Sequence, residues 1–221
     1  MKIAAISDLH QPSAYSIKIP ECDVLIMAGD FEIKDSIYYL QFSMWLHSLD
    51  QVKYKLIVPG NHDWYFQDKN SKELSEKKYN IHYLIDSKVK IDGVTFYGTP
   101  YTPTFMNWAF MESEEQLEKR YAKIHKDTDV LITHGPPRGI LDDVRDRYKK
   151  QERRNCGSEA LAEWFQKRYK ENKPGIINIF GHIHREESDA KFKRIIKDTF
   201  YNVSLMNNDY DIVNPVTIIE V

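Results

Sequence analysis

Short β-branched runs alternate with stretches of helical period along the first part of the chain. Lys2 to Ile6, Val24 to Ala28 and Lys55 to Val58 read as buried strands, with an amphipathic helix from about Ser36 to Leu49 between the last two. Ile37, Leu40, Phe42, Met44, Trp45 and Leu49 give that helix a broad apolar side, expected to pack as core, and Asp35 or Ser36 is its expected N-cap. A polar stretch from Gln67 to Lys78 precedes short strands near His82 to Ile85, Lys88 to Ile91 and Val94 to Tyr97. Asp92-Gly93 supplies a hairpin turn between the last two. Ser113 and Gln116 form a capping box for a helix running to about Ile124. Val130 to Thr133 is the next buried strand, a helix starts near Ser158, and Ile176 to Phe180, Thr199 to Val203 and Val216 to Val221 finish as strands. The alternation predicts an α/β protein whose sheet is covered on both faces.

Length and charge narrow the picture. The 221 residues suit one α/β core, so a single domain spanning 1–221 is expected. With 31 basic and 33 acidic residues the net charge is −2, which argues against a protein that coats nucleic acid or an anionic membrane. No window approaches the apolar length of a membrane span, and the opening residues read as a strand rather than a signal peptide. Cys22 and Cys156 lie far apart and are expected as reduced thiols in a cytoplasmic protein. In that compartment the glycosylation pattern Asn202-Val203-Ser204 is expected to be idle.

The chemistry gathers where strands end. Ile3 to Ile6 delivers Asp8 and His10, Val24 to Ala28 delivers Gly29-Asp30, and Leu56 to Val58 delivers Gly60-Asn61-His62-Asp63. Val130 to Ile132 delivers His134, and Ile176 to Phe180 delivers Gly181-His182-Ile183-His184. The carboxyl ends of strands in an α/β sheet converge on one crevice, so these scattered groups are expected to meet in space. Asp8 and His10, like His182 and His184, are two apart, which in extended chain puts both side chains on one face roughly 7 Å apart at the Cα atoms. A donor set of imidazoles, carboxylates and one amide suits Mn²⁺, Fe or Zn²⁺ better than Mg²⁺ or Ca²⁺.

Asp8-Leu9-His10, Gly29-Asp30, Gly60-Asn61-His62-Asp63, His134 and Gly181-His182-Ile183-His184 occur in the order found in the calcineurin-like metallophosphoesterases, and the chain resembles that family. Within it, Gly98-Thr99-Pro100-Tyr101-Thr102-Pro103, Asn107-Trp108-Ala109-Phe110 and Thr133-His134-Gly135-Pro136-Pro137 resemble the metallophosphoesterase-domain (MPPED, or 239AB) branch. The resemblance implies a two-sheet β-sandwich flanked by helices. It implies two divalent metal ions, Mn²⁺ first, with Asp8, His10 and His184 on one, Asn61, His134 and His182 on the other, and Asp30 bridging. The bridging water or hydroxide would be the nucleophile. His62 would act beside the leaving oxygen as proton donor or electrostatic stabiliser, with Asp63 orienting its imidazole where many relatives carry Glu. Phosphodiester hydrolysis on small substrates such as cyclic nucleotides is the implied activity. A nuclease on DNA or RNA and a binding module that has lost catalysis are the alternatives.

Other residues carry weaker signals. Arg138 is the single best candidate for gripping a substrate phosphate. The run Arg145, Arg147, Lys149, Lys150, Arg153 and Arg154, and the trio Lys191, Lys193 and Arg194, could border the metal cleft and grip a phosphate or nucleic-acid backbone, but acids are interleaved and solvated surface is the expectation. Trp108 and Phe110 could stack a base, with apolar packing at least as good a reading. Asn178, inside an apolar strand, is expected to satisfy a backbone group, and His47, His82 and His125 lie outside the motifs. The sequence carries no signal for oligomeric state.

Overall fold

Alternate residues of the first strands are buried on opposite faces. Ala4, Ile6, Leu25 and Met27 belong to one apolar cluster, while Ile3, Ala5, Val24 and Ile26 belong to another. A strand presents successive side chains to opposite faces, so a sheet apolar on both must be covered on both. The computed structural model, which describes residues 1–10, 12–145 and 153–221, supplies both covers.

In chain order the elements are β1 (Lys2–Ile6), β2 (Cys22–Ala28), α1 (Ser36–Ser48), β3 (Val52–Val58), α2 (Ser71–Leu74), β4 (Ile81–Tyr83), β5 (Ser87–Ile91) and β6 (Val94–Thr99). There follow β7 (Thr102–Pro103), β8 (Met111–Glu112), α3 (Glu114–Tyr121), β9 (Val130–Thr133), β10 (Asp143–Arg145) and β11 (Arg153–Asn155). The chain ends with α4 (Glu159–Lys170), β12 (Ile177–Phe180), β13 (Phe192–Ile195), β14 (Asp198–Asn202) and β15 (Thr217–Glu220). One sheet has the order β15-β1-β2-β3-β4 and a second the order β13-β14-β12-β9-β6-β5. The inner strands of each are parallel, and β15, β13 and β5 form antiparallel edges.

Between the sheets, Ile3, Val24, Ile26 and Leu56 meet Phe96, Val130, Ile132 and Ile179. Outside the first sheet α1 packs through Phe42, Trp45 and Leu46, and outside the second α3 and α4 pack through Leu117, Tyr121, Leu161 and Phe165. The result is the two-sheet sandwich flanked by helices that the resemblance implies. Each fully buried aliphatic or aromatic side chain in these layers stabilises by about 1.5–3 kcal/mol.

The caps form as expected. The Asp35 carboxylate accepts from the Ile37 and Tyr38 N–H groups, Ser113 and Gln116 close a capping box, and Ser158 caps α4. Asp92 and Gly93, both with positive φ, turn β5 into β6. Asn178 donates to the Leu131 carbonyl, and both cysteines are free thiols. None of the described helices is long and apolar enough to cross a membrane.

Two expectations need correction, and one strand had not been expected. The apolar side of α1 is not wholly core: Phe42, Trp45 and Leu49 are buried, but Ile37, Leu40 and Met44 are 66%, 60% and 64% exposed. Those apolar positions spread around more of the helix than one sheet can cover. The capping-box helix stops at Tyr121, short of Ile124. Phe192–Ile195 forms an edge strand with no buried alternation, held by backbone pairing to β14, so its side chains gave no periodic signal.

Candidate metal centre

Five strand ends from the two sheets meet at one edge of the sandwich, and the backbone there is forced. Asp8, His10, Asp30 and His182 have φ of 57°, 47°, 60° and 67°, a left-handed conformation that side-chain-bearing residues rarely adopt. Strain of this kind persists where surrounding bonds over-determine it. The Asp8 N–H donates to the Gly29 carbonyl (2.9 Å), the His10 N–H to the Asp30 carbonyl (3.1 Å), and the His182 N–H to both Asp8 carboxylate oxygens (3.1 Å each). Two glycines permit the close approach. A Cβ at Gly29, whose φ is +99°, would collide with the His134 ring, and one at Gly181 with the Ser7 hydroxyl and Asp8 carboxylate.

The side chains so placed form two donor sets. Asp8, His10 and His184 offer atoms within 4.8 Å of one another, and so do Asp30, His134 and His182. Asn61 joins the second set, its Oδ1 lying 2.9 Å from His134 Nε2. The Asp30 carboxylate lies between the sets, with Oδ2 3.7 Å from His10 Nε2 and Oδ1 3.3 Å from His134 Nε2. Backbone carbonyls orient the rings. His134 Nδ1 donates to Ala28 (2.8 Å) and His184 Nδ1 to Asn207 (3.0 Å), which leaves each Nε2 directed at the centre, the outer support typical of metal-binding imidazoles.

The charged groups of the centre act unevenly on one another. Burial opposes ionisation of Asp30, yet His134, His10 and His62 hold its carboxyl well below the usual range. Burial likewise opposes charge on His134, but the Asp30 carboxylate overcomes it and raises the imidazole to about 9. His182 is pushed down to about 4 by burial and by His134 beside it. The set therefore holds mutually repelling imidazoles and buried carboxylates in contact, a donor chemistry that fits divalent cations.

His62 stands beside these sets with Nε2 4.0 Å from Asp30 Oδ2, and its ring stacks on Trp108 at 4.3 Å between centroids. Asp63 does not orient it. Both Asp63 oxygens are taken by backbone N–H groups, those of Gly60, Asp30, Phe31 and Ile33, at 2.8–3.1 Å. A short aspartate arm in this buried turn reaches the backbone before any ring. The partner of His62 Nδ1 is Glu32, 2.8 Å away. Glu32 and Tyr210, whose ring meets both His10 and His184 edge-on at 4.9 Å, escaped the sequence reading. An acid two residues after Asp30 was visible as a hint for Glu32, whereas Tyr210 lies in a loop with no motif.

The centre opens into a cleft of about 700 Å³ whose walls include Phe105, Met106, Trp108, Ile183 and Tyr210. Arg138 lines it too, with its guanidinium 3.2 Å from Glu159. Phe110 is fully buried against Tyr101 and belongs to the core, so only Trp108 of that pair reaches the cleft. Arg147, Lys149 and Lys150 lie outside the described residues. Lys191 and Lys193 donate to backbone carbonyls. His47 and His125 pair with Glu76 and Asp127, away from the centre.

A human and a mouse protein, each named Metallophosphoesterase domain-containing protein 1, are 32% identical to the chain over 246 residues, covering 99% of it and 70% of their own length. A Caenorhabditis elegans protein of the UPF0046 group is 36% identical over 201 residues, 84% of this chain and 64% of that one. Among solved structures, the phosphopantetheinyl hydrolase of Mycobacterium tuberculosis superposes with a TM-score of 0.54 at 17% identity, over 95% of this chain and 90% of that one. Protein TT1561 of Thermus thermophilus superposes at 0.56 and 13%, over 93% and 89%. These two share the fold. The family model for the calcineurin-like phosphoesterases matches residues 1–186, and the chain belongs to that family.

Proposed function

We propose that this protein is a two-metal phosphodiesterase acting on small substrates such as cyclic nucleotides. The observation that carries the reading is the meeting of two donor sets at the floor of one cleft, with Asp30 between them and His62 at their rim. Asp8, His10 and His184 would hold one cation, Asn61, His134 and His182 the other, and Asp30 would touch both. Mn²⁺ is the first expectation, with Fe or Zn²⁺ also suited to the donors. Such a pair, when bound, lowers the pKa of water and neutralises charge that builds on the phosphoryl oxygens.

The protein's own groups account for the remaining steps. The cleft wall positions the ester so that water attacks phosphorus opposite the leaving oxygen, and the bond from phosphorus to that oxygen breaks. His62 Nε2, facing the centre, delivers a proton to the departing oxygen. Trp108, stacked on the His62 ring, keeps it from swinging away.

Cleft size and charge favour a small diester. A volume of about 700 Å³ greatly exceeds a bare phosphate and lies in the range of small-molecule sites. Among the described lining residues Arg138 is the sole Lys or Arg, which suits a singly charged diester better than a polyanionic nucleic-acid backbone. Two free thiols accord with a reducing compartment, and we place the protein in the cytoplasm.

A panel of 2′,3′- and 3′,5′-cyclic nucleotides, single-stranded DNA and RNA, and phosphomonoesters, run with several metals, tests the reading. Preferential turnover of the small diesters is expected. Activity confined to polynucleotides or to monoesters would overturn it.

A further inference from the structure

Glu32 lies two residues beyond Asp30, itself in the left-handed region with φ of 61°. The turn that carries it is pinned on both sides. Asp63 accepts from the N–H groups of Asp30, Phe31 and Ile33, and the Ile33 carbonyl accepts from the Tyr65 N–H at 2.9 Å. Its side chain has little choice of direction. Oε1 lies 2.8 Å from His62 Nδ1 and 3.3 Å from His10 Nδ1, while Oε2 lies 2.8 Å from Lys34 Nζ. The two imidazoles meet edge-on over it, with ring centroids 4.8 Å apart.

An ionised carboxylate oxygen only accepts hydrogen bonds, so each Nδ1 that contacts it carries the hydrogen. That contact fixes which way each opposite nitrogen points. His10 Nε2 then faces His184 Nε2 at 3.0 Å, and His62 Nε2 is turned toward Asp30. One oxygen atom therefore sets the ring orientation of two residues with different tasks.

We propose that Glu32 is a positioning residue shared by the two halves of the reaction, a single carboxylate that holds His10 as a metal ligand and His62 as the proton donor. The inference rests on the two-metal phosphoesterase reading for those tasks, but the shared orientation does not. Asp63 then acts at one remove, by fixing the turn from which Glu32 reaches both rings. Lys34 steadies the second oxygen from the solvent side. Loss of Glu32 should loosen the first metal and the acid together.

The test combines a spectroscopic and a kinetic readout. In metal-free protein with ¹⁵N-labelled histidine, long-range ¹H–¹⁵N spectra should show a hydrogen held on Nδ1 of both His10 and His62, and Glu32→Ala should lower that Nδ1 occupancy in both. Mn²⁺ affinity of one site, followed by calorimetry, should fall about 10–100-fold, the usual effect of losing an outer-shell partner. On aryl phosphodiesters of graded leaving-group pKa, the loss in kcat should grow as the leaving group becomes more basic. That extra sensitivity should vanish in the His62→Ala, Glu32→Ala double variant. Glu32→Gln keeps an acceptor oxygen and guards against misfolding of the alanine variant: it should preserve the tautomers and recover part of the affinity.

Unchanged tautomers in Glu32→Ala, or a kinetic loss equal for every leaving group, would overturn the inference. So would a metal count that falls from three to two, which would make Glu32, His10 and His62 a metal site of their own. If the wild-type protein hydrolyses none of the esters, the phosphoesterase reading fails, while the tautomer result still decides the orienting role.

Discussion

His10 and His184 aim their Nε2 atoms at one another across 3.0 Å, and each has already committed its Nδ1, to Glu32 and to the Asn207 carbonyl. At that separation the two ring nitrogens can share one hydrogen or face one cation. The Asp8 carboxylate, 3.8 Å from His184 Nε2, completes the set. Asp30 faces both this set and the one around His134. Asp30→Asn is therefore expected to bind fewer than two metals per chain, with both sites weakened, when metal content is measured by elemental analysis after dialysis. Two metals retained at wild-type affinity would remove Asp30 as the shared ligand.

His62→Ala should separate chemistry from metal binding. The ring stacks on Trp108 and reaches no closer than 4.0 Å to Asp30, so metal content should match the wild type while kcat drops roughly 10²–10⁴-fold, the usual contribution of a general acid. Metal loss equal to that of Asp30→Asn would assign His62 to the ligand set instead.

Metal-free protein should lose stability as pH rises from 6.5 to 9. Below that window two groups offset each other: His182 titrates near 4 in the fold against an ordinary 6.5, while burial and Asp30 push the Asp63 carboxyl up to about 7. His134 titrates near 9, so from 6.5 to 9 the folded chain holds the extra proton and stability falls as pH rises. Thermal melts in chelator from pH 4 to 10 check this; a melting temperature still climbing at pH 9 would contradict it. Saturating Mn²⁺ should abolish the alkaline decline, because a metal-bound imidazole carries no proton there to lose.

The two sides of α1 should respond differently to substitution. Ile37→Gln and Leu40→Gln change exposed positions and should shift unfolding free energy by no more than about 0.5 kcal/mol. Phe42→Ala opens a fully buried site stacked on Phe31 and should cost about 3–5 kcal/mol. Denaturant melts of the three variants distinguish a one-faced helix from a helix buried all round.

Much of the fold was legible because its central strands are short apolar runs between turn residues. Val130–Thr133 could be read to the residue, and Ser113, Ser158 and Asp35 marked their helix starts through local capping chemistry. β13 was not legible, because an edge strand is held by backbone bonds and Lys193 and Arg194 face water. The outward side of α1 was misread for the converse reason. Hydrophobicity told which residues can be buried, but the area of one sheet face decided which were.

The sequence by itself determined that Asp8, His10, Asp30, Asn61, His134, His182 and His184 would converge, since each follows a strand and strand ends in such a sheet share one edge. It also determined the family, through the order of those residues. Tertiary structure alone decided which group holds which. Asp63 adjoins His62 in the chain yet spends both oxygens on backbone N–H groups, while Glu32, thirty positions away from that histidine, reaches it and His10 together. Adjacency in sequence fixes neither side-chain direction nor reach, and a left-handed turn pinned by four hydrogen bonds does.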